Sequence, residues 1–93
     1  MSLQIQWTTQ FKKDYKQAIK RGWNIDALDD TIRMLANEII LPRKYNDHAL
    51  TGNFKGFREC HVEPDWLLVY AAEKNVLTLT LFRTGTHSDL FGK

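Results

Sequence analysis

The chain has one cysteine in 93 residues, so Cys60 has no partner for an internal disulfide. Such cysteine usage fits a reducing compartment. Neither Cys-x-x-Cys nor His-Glu-x-x-His occurs, so no zinc-type ligand spacing is written into the chain, and no metal or other cofactor is expected. No apolar run approaches the roughly 20 residues of a membrane span. The start, Met-Ser-Leu-Gln-Ile-Gln-Trp, lacks the charged and apolar regions of a secretion signal, and the cytoplasm is the expected location. A phosphate-cradling Gly-rich loop and a Gly-x-Ser-x-Gly elbow are also missing. Charge of one sign is scarce: the net charge is +2, too small to establish a nucleic-acid partner by itself.

What is present is concentrated. Only three histidines occur, at 48, 61 and 87, and all lie in the second half. They sit in the strings Asp47-His48-Ala49-Leu50-Thr51-Gly52, His61-Val62-Glu63-Pro64-Asp65-Trp66 and Arg83-Thr84-Gly85-Thr86-His87. Histidine gives or takes a proton near neutrality. Lys12, Lys13, Lys16, Lys20 and Arg21 cluster early, opposed only by Asp14. That cluster reads either as a solvated helix face or as a contact surface for an RNA backbone or an acidic partner.

The length predicts one domain over residues 1–93. Leu3, Ile5 and Trp7 alternate with glutamines, as in a half-buried strand. Thr8 or Thr9 can cap a helix over 10–21, with Phe11, Tyr15, Ala18 and Ile19 at helical spacing. Gly22 suits its end. Asn24 caps a second helix, with Asp26 in the first turn and a stripe of Leu28, Ile32, Leu35 and Ile39 running to Pro42. Residues 42–54 read as a loop with at most a turn of helix. Strands are predicted over 56–62, 66–72 and 76–83, the last with Leu77, Leu79 and Leu81 on one face. The expected fold is α+β: a small antiparallel twisted sheet in the order β-α-α-β-β-β. Two N-terminal helices pack on one face, and the opposite face stays polar and open.

Several residues can carry chemistry. Asp65 can fix the tautomer of His61 across the Pro64 turn, or simply shape that turn. Arg83 and His87 flank a Gly-containing bend. Arginine presents planar donors suited to phosphate. Strict alternation nevertheless puts Arg83 in phase with Leu81 on the core face, so the strand must twist, bulge or open there. His48 is a loop histidine. Trp66 and Phe91 can stack on bases or pack internally. Cys60 and His61, adjacent on a strand, should face opposite ways, with Cys60 a small buried residue.

Taken together, His48-x-Leu50-x-Gly52, Gly56-Phe57-Arg58, His61-Val62-Glu63-Pro64-Asp65-Trp66, Tyr70 and Arg83-Thr84-Gly85-Thr86-His87-Ser88-x-Leu90-Phe91 resemble the YafQ-type toxins of the RelE/ParE superfamily. The early Phe11-Lys12-Lys13-Asp14 and Tyr45-x-Asp47-His48 segments extend the resemblance over nearly the whole chain. It implies a bacterial type II toxin that cuts messenger RNA in the ribosomal A site without a metal. The substrate's 2′-hydroxyl would be the nucleophile, leaving a 2′,3′-cyclic phosphate and a 5′-hydroxyl. Carried over by position, the site residues are His48, His61, Asp65, Trp66, Arg83, His87 and Phe91. His87 would be the principal acid and His61 or His48 the base. Asp65 would tune one of them and Arg83 stabilise the phosphorane, while Phe91 and Trp66 position bases. Lys12, Lys13, Lys16 and Lys20 would meet ribosomal RNA, and a small antitoxin would mask the cleft. Ala49 departs from the proline common after the first histidine, and Cys60 from a small residue. The rival readings are a ParE-like gyrase inhibitor on the same fold and an inert RNA- or antitoxin-binding module.

Overall fold

The structure, a computed structural model, describes residues 2–92. Strand β1 (Gln4–Trp7) leads into α1 (Thr9–Lys20) and α2 (Ile25–Ala36). A two-residue strand β2 (His48–Ala49) follows, then β3 (Arg58–Glu63), β4 (Trp66–Glu73), β5 (Thr78–Gly85) and a short closing helix α3 (His87–Phe91). The α+β class and the order of the main elements are as the sequence indicates. The sheet order is β1-β5-β4-β3-β2. One pairing departs from an all-antiparallel sheet: β1 runs parallel to β5, with Ile5 opposite Leu79. Both helices lie between these two ends of the chain, so β1 reaches β5 only through a long-range pairing.

Helix ends follow local chemistry. The Thr8 side chain accepts from the Phe11 N–H at 2.9 Å and donates to the Phe82 carbonyl at 2.8 Å, tying the α1 cap to β5. Gly22, at φ +73°, closes α1, with the Trp23 N–H returning to the Ala18 carbonyl at 3.1 Å. Asn24 caps α2 through the Ala27 N–H at 3.3 Å. The helix stops at Ala36, ahead of the Ile39 limit suggested by its stripe. Glu38 turns left-handed at φ 57°, and the Ile39 N–H bonds back to Met34 at 2.9 Å. That reversal satisfies the orphan carbonyls before Pro42 is reached, and Ile39 is left exposed.

Phe11, Ala18, Leu28, Ile32 and Leu35 from the helices meet Cys60, Trp66, Leu68, Tyr70, Leu79 and Leu81 from the sheet. Each large apolar side chain buried there contributes about 1.5–3 kcal/mol. Two expectations change. Of the β1 stripe, only Leu3 is buried; Ile5 and Trp7 are exposed, because β1 is the sheet edge with a single neighbour. Leu77 leaves the leucine face: it turns left-handed at φ 53° and β5 begins one residue later. The second face of the sheet is not purely polar either. Leu67 and Val69, alternating with the core residues of β4, are buried there. Phe57 stacks on Phe82 at 4.5 Å, and Phe54 meets Phe91 edge-on at 5.5 Å. Among the described residues, no helix is long and apolar enough to cross a membrane.

Candidate active site

Strand register gathers the polar residues. His48 lies opposite Glu59, Glu59 opposite Val69, and Val69 opposite Arg83. His61 lies opposite Leu67, and Leu67 opposite Gly85, two residues before His87. Residues paired across a sheet share a face, so His48, Glu59, His61 and Arg83 start from the face turned away from the Cys60–Leu68 core. The Arg83 conflict is resolved by a bulge. Tyr70 pairs with Leu81 while Val69 pairs with Arg83, so Phe82 is skipped. The extra residue shifts the phase by one and takes Arg83 off the leucine face.

His87 opens α3. Its ring Nδ1 donates to Asp65 Oδ1 at 2.7 Å, and its backbone N–H donates to the same oxygen at 3.1 Å. The ring hydrogen bond, then the backbone one, holds the Asp65 carboxyl below its usual range. Asp65 thus serves His87, whereas the sequence suggested His61 as its neighbour. His61 instead bonds through Nδ1 to the Pro64 carbonyl at 3.1 Å. A carbonyl only accepts, so Nδ1 carries the hydrogen and Nε2 keeps its lone pair when the ring is neutral. The His61 and His87 rings stand 5.9 Å apart. Two imidazoles, each oriented through Nδ1, can therefore act on one small group through Nε2.

His48 is set differently. Its Nδ1 donates to the Asn46 carbonyl at 2.6 Å, and its Nε2 lies 3.4 Å from the Glu59 carboxylate. Glu59 is buried. His48 is a diagonal neighbour of His61, about 7–8 Å away by antiparallel geometry. It flanks the close pair rather than joining it. Its loop is anchored by Asp47, which accepts from the Tyr70 hydroxyl and pairs with Arg58 at 3.3 Å.

Arg83 is held by α1. Its Nε and Nη2 donate to Asp14 at 2.8 and 3.3 Å, and the Thr84 N–H donates to Asp14 at 3.1 Å. Beside this pair lies a recess of about 160 Å³, bordered by Arg21, Trp23, Gly85 and Asp89. Arg21 grips Asp89 with bonds of 2.6 and 3.1 Å. Asp89 in turn accepts from the Thr86 N–H at 2.9 Å, while Thr86 Oγ1 accepts from the Asp89 N–H at 3.0 Å. This reciprocal cap, locked by Arg21, fixes the first turn of the helix that carries His87. A side chain at Gly85 would come within 2.9 Å of Asp89 Cβ, so glycine is required there by close approach.

The other sequence candidates divide. Trp66 is 3% exposed, donates to Thr84 Oγ1 at 2.9 Å and packs on Trp23 at 5.0 Å. It is a core residue whose face is unavailable to a base, which corrects its reading as a stacking platform. Phe91 is half-buried on Phe54 at the end of α3. Lys12, Lys13, Lys16 and Lys20 are exposed on α1. Lys12 and Lys16 emerge about 160° around the helix from Asp14 at 100° per residue, so they form a surface separate from the histidines. Burial pushes the Cys60 thiol up to about 12. Among the described residues, no group of three or more His, Cys, Asp or Glu side chains is arranged to hold a metal ion. Sequence reasoning passed over Asp14, Arg21, Glu59 and Asp89 as site residues. Asp14 carried the one available signal, as the lone acid in a basic stretch.

Comparison with known proteins gives one consistent result. A family model described as bacterial toxin of type II toxin-antitoxin system, YafQ, matches residues 3–92. The mRNA interferase toxin YafQ of Escherichia coli K12 is 43% identical over 89 residues, covering 95% of each chain. The toxin in the crystal structure of the E. coli DinJ–YafQ toxin–antitoxin complex superposes with a TM-score of 0.90 at 41% identity, covering 99% of this chain and 100% of that one. A metal-bound toxin from Helicobacter pylori superposes with a TM-score of 0.89 at 46% identity, covering 96% and 99%. A match over nearly the whole length, in sequence and in fold, places this chain in the YafQ family of toxins of bacterial type II toxin–antitoxin systems.

Proposed function

We propose that this chain is an endoribonuclease that cuts ribosome-bound messenger RNA in the A site, and that a cognate antitoxin restrains it. The observation that carries the reading is the His61–His87 pair, 5.9 Å between rings, with Asp65 on the far nitrogen of His87. The relative from E. coli named an mRNA interferase, and the DinJ–YafQ complex, support the substrate class and the kind of partner.

The chemistry divides among the residues as follows. His61 Nε2 takes the proton of the 2′-hydroxyl, with the ring held by the Pro64 carbonyl. The 2′-oxygen attacks the adjacent phosphorus. His87, as imidazolium supported by the Asp65 carboxylate, gives a proton to the departing 5′-oxygen. The products are a 2′,3′-cyclic phosphate and a 5′-hydroxyl. A positioned acid or base contributes ~10²–10⁴-fold. Arg83 supplies positive charge to the phosphorane, shared with its Asp14 contact. Neighbouring His48, with Glu59 opposite, adjusts the charge of the cleft from its edge. Nothing in this proton and phosphate chemistry calls for a metal, and cutting is expected to survive a chelator. Phe91 borders the site as a base contact, and Lys12, Lys13, Lys16 and Lys20 contact ribosomal RNA.

Primer extension on a translated message tests the reading. The wild-type chain should give discrete cuts on ribosome-bound message, and His87→Ala should give none. Near-wild-type cutting by His87→Ala would overturn it. DNA breaks without RNA cuts would indicate a gyrase poison, and neither activity would leave a binding module.

A further inference from the structure

A groove of about 660 Å³ opens beside His61, between α2, the Arg43–Tyr45 turn and the β3–β4 connection. Its volume falls within the roughly 300–1,000 Å³ of clefts that hold small organic groups. His61 lines this groove and also faces His87. The groove therefore begins where the acid–base pair ends. A polymer laid across the pair has its next unit at the mouth of this groove.

The lining is segregated. Ala27, Val62 and Pro64 give an apolar floor. Val62 is there because the β3 ladder passes from His61–Leu67 to Glu63–Trp66 and skips it. Tyr45 adds a half-buried ring, and Lys44 Nζ lies 5.5 Å from its centroid. Arg21, Arg33, Arg58, Lys74 and Arg83 are all paired with carboxylates. Lys44 is exposed and forms no such pair among the described residues. It is an uncommitted cation on the wall of the groove that His61 also lines. Glu63 also borders the groove, and its carboxylate accepts hydrogen bonds but repels phosphate. An apolar floor with an aromatic wall suits the face of a base, and a free ammonium suits a phosphate.

We propose that this groove is a nucleotide subsite. It holds the unit that flanks the scissile phosphate on the His61 side. Lys44 contacts that unit's phosphate, and Tyr45 and Val62 flank its base. Glu63 accepts from an exocyclic amino group, which favours bases that carry one. The same turn reaches the cleft a second way, since the Asn46 carbonyl next to Tyr45 orients the His48 ring. The proposal rests on the endoribonuclease reading above and adds a specificity element to it.

The test is the rate of cutting as a function of the concentration of ribosome-bound message. It compares wild type, Lys44→Ala, Lys44→Glu, Lys44→Arg and Ala27→Phe, with His87→Ala as the inactive reference. Lys44→Ala should raise the half-saturating concentration several-fold with kcat within about twofold, and Lys44→Glu should raise it further. Lys44→Arg should restore it. Ala27→Phe, which fills the floor, should act like Lys44→Ala and change the preferred cut sites. Thermal melting checks that each variant folds; Lys44 is exposed, so its variants keep the test alive if Ala27→Phe does not fold. An active His87→Ala would defeat the endoribonuclease reading itself. An inactive His87→Ala, alongside Lys44→Glu with wild-type saturation and cut sites, would defeat the subsite alone. Lys44 variants that cut normally but escape the antitoxin would also defeat it, because the groove would then belong to the protein partner.

Discussion

Asp14 and Arg83, 69 positions apart in the chain, are joined by two hydrogen bonds of 2.8 and 3.3 Å. The contact links the middle of α1 to the end of β5. It also sets how much of the arginine's charge is available to a phosphate. Asp14 has 10% of its side chain exposed and Arg83 26%, so the pair is largely shielded from water. Asp14→Ala should cost about 1–3 kcal/mol, as expected when a shielded charged group loses its partner. Urea denaturation measures this. Arg83→Ala should lower kcat by ~10²–10³, the usual loss for one donor to a developing negative charge. An Arg83→Ala chain that cuts at the wild-type rate would remove Arg83 from the chemistry.

Asp65 is predicted to hold the His87 ring for proton transfer. Its Oδ1 accepts from both the His87 ring Nδ1 and the His87 backbone N–H, which fixes one tautomer of the ring. The same bonds hold the Asp65 carboxyl below its usual range. Asp65→Asn weakens this hold and should lower kcat about tenfold, part of the ~10²–10⁴-fold that a positioned acid contributes, with little change in the half-saturating concentration of message. A wild-type rate would mean that the carboxylate only shapes the turn.

Arg21 and Asp89 should control α3 more than the core. Arg21 holds the Asp89 carboxyl far below the carboxylate range, helped by the Thr86 N–H. A depressed folded-state pKa stabilises above the unfolded value, near 4, and that stability is lost as pH falls. The side chains are 34% and 29% exposed, which limits the gain to about 1 kcal/mol. Asp89→Asn should therefore be less stable than wild type at pH 7, and the gap should narrow toward pH 3. Amide exchange at Thr86 and Asp89, whose N–H groups make the reciprocal cap, should quicken in Arg21→Ala, and cutting should slow. Unchanged exchange would show that α3 stands without its clamp.

The lysine face of α1 is a separate prediction. Reversing the charge of Lys12 and Lys16 together should weaken ribosome binding and flatten its salt dependence. Catalysis on message already bound should persist, because these side chains emerge opposite Asp14. Binding that is unaltered at physiological salt would assign the face to solvent.

The local features were readable because local chemistry settles them. Thr8 and Asn24 cap, Gly22 ends a helix, and Leu79 and Leu81 face inward. The early end of α2 was not readable, since Glu38 takes a position that usually asks for glycine. Trp66 was ambiguous because a tryptophan after a turn serves a core or a base equally well. Only the burial of its ring and the Thr84 contact decide between them.

By itself the sequence determined the order of the first strand, the two long helices and the three long strands, the caps of those two helices, the motif residues and, through their pattern, the family. Those depend on neighbours a few positions apart. The short strand at His48 and the closing helix that carries His87 lay outside what it determined. Tertiary structure decided the rest: the parallel β1–β5 pairing, the transfer of Asp65 from His61 to His87, and the capture of Arg83 by Asp14. It also set His61 and His87 face to face while leaving His48 at the flank. One skipped residue, Phe82, takes Arg83 off the core face. A bulge is a property of two paired strands, and no single strand records it.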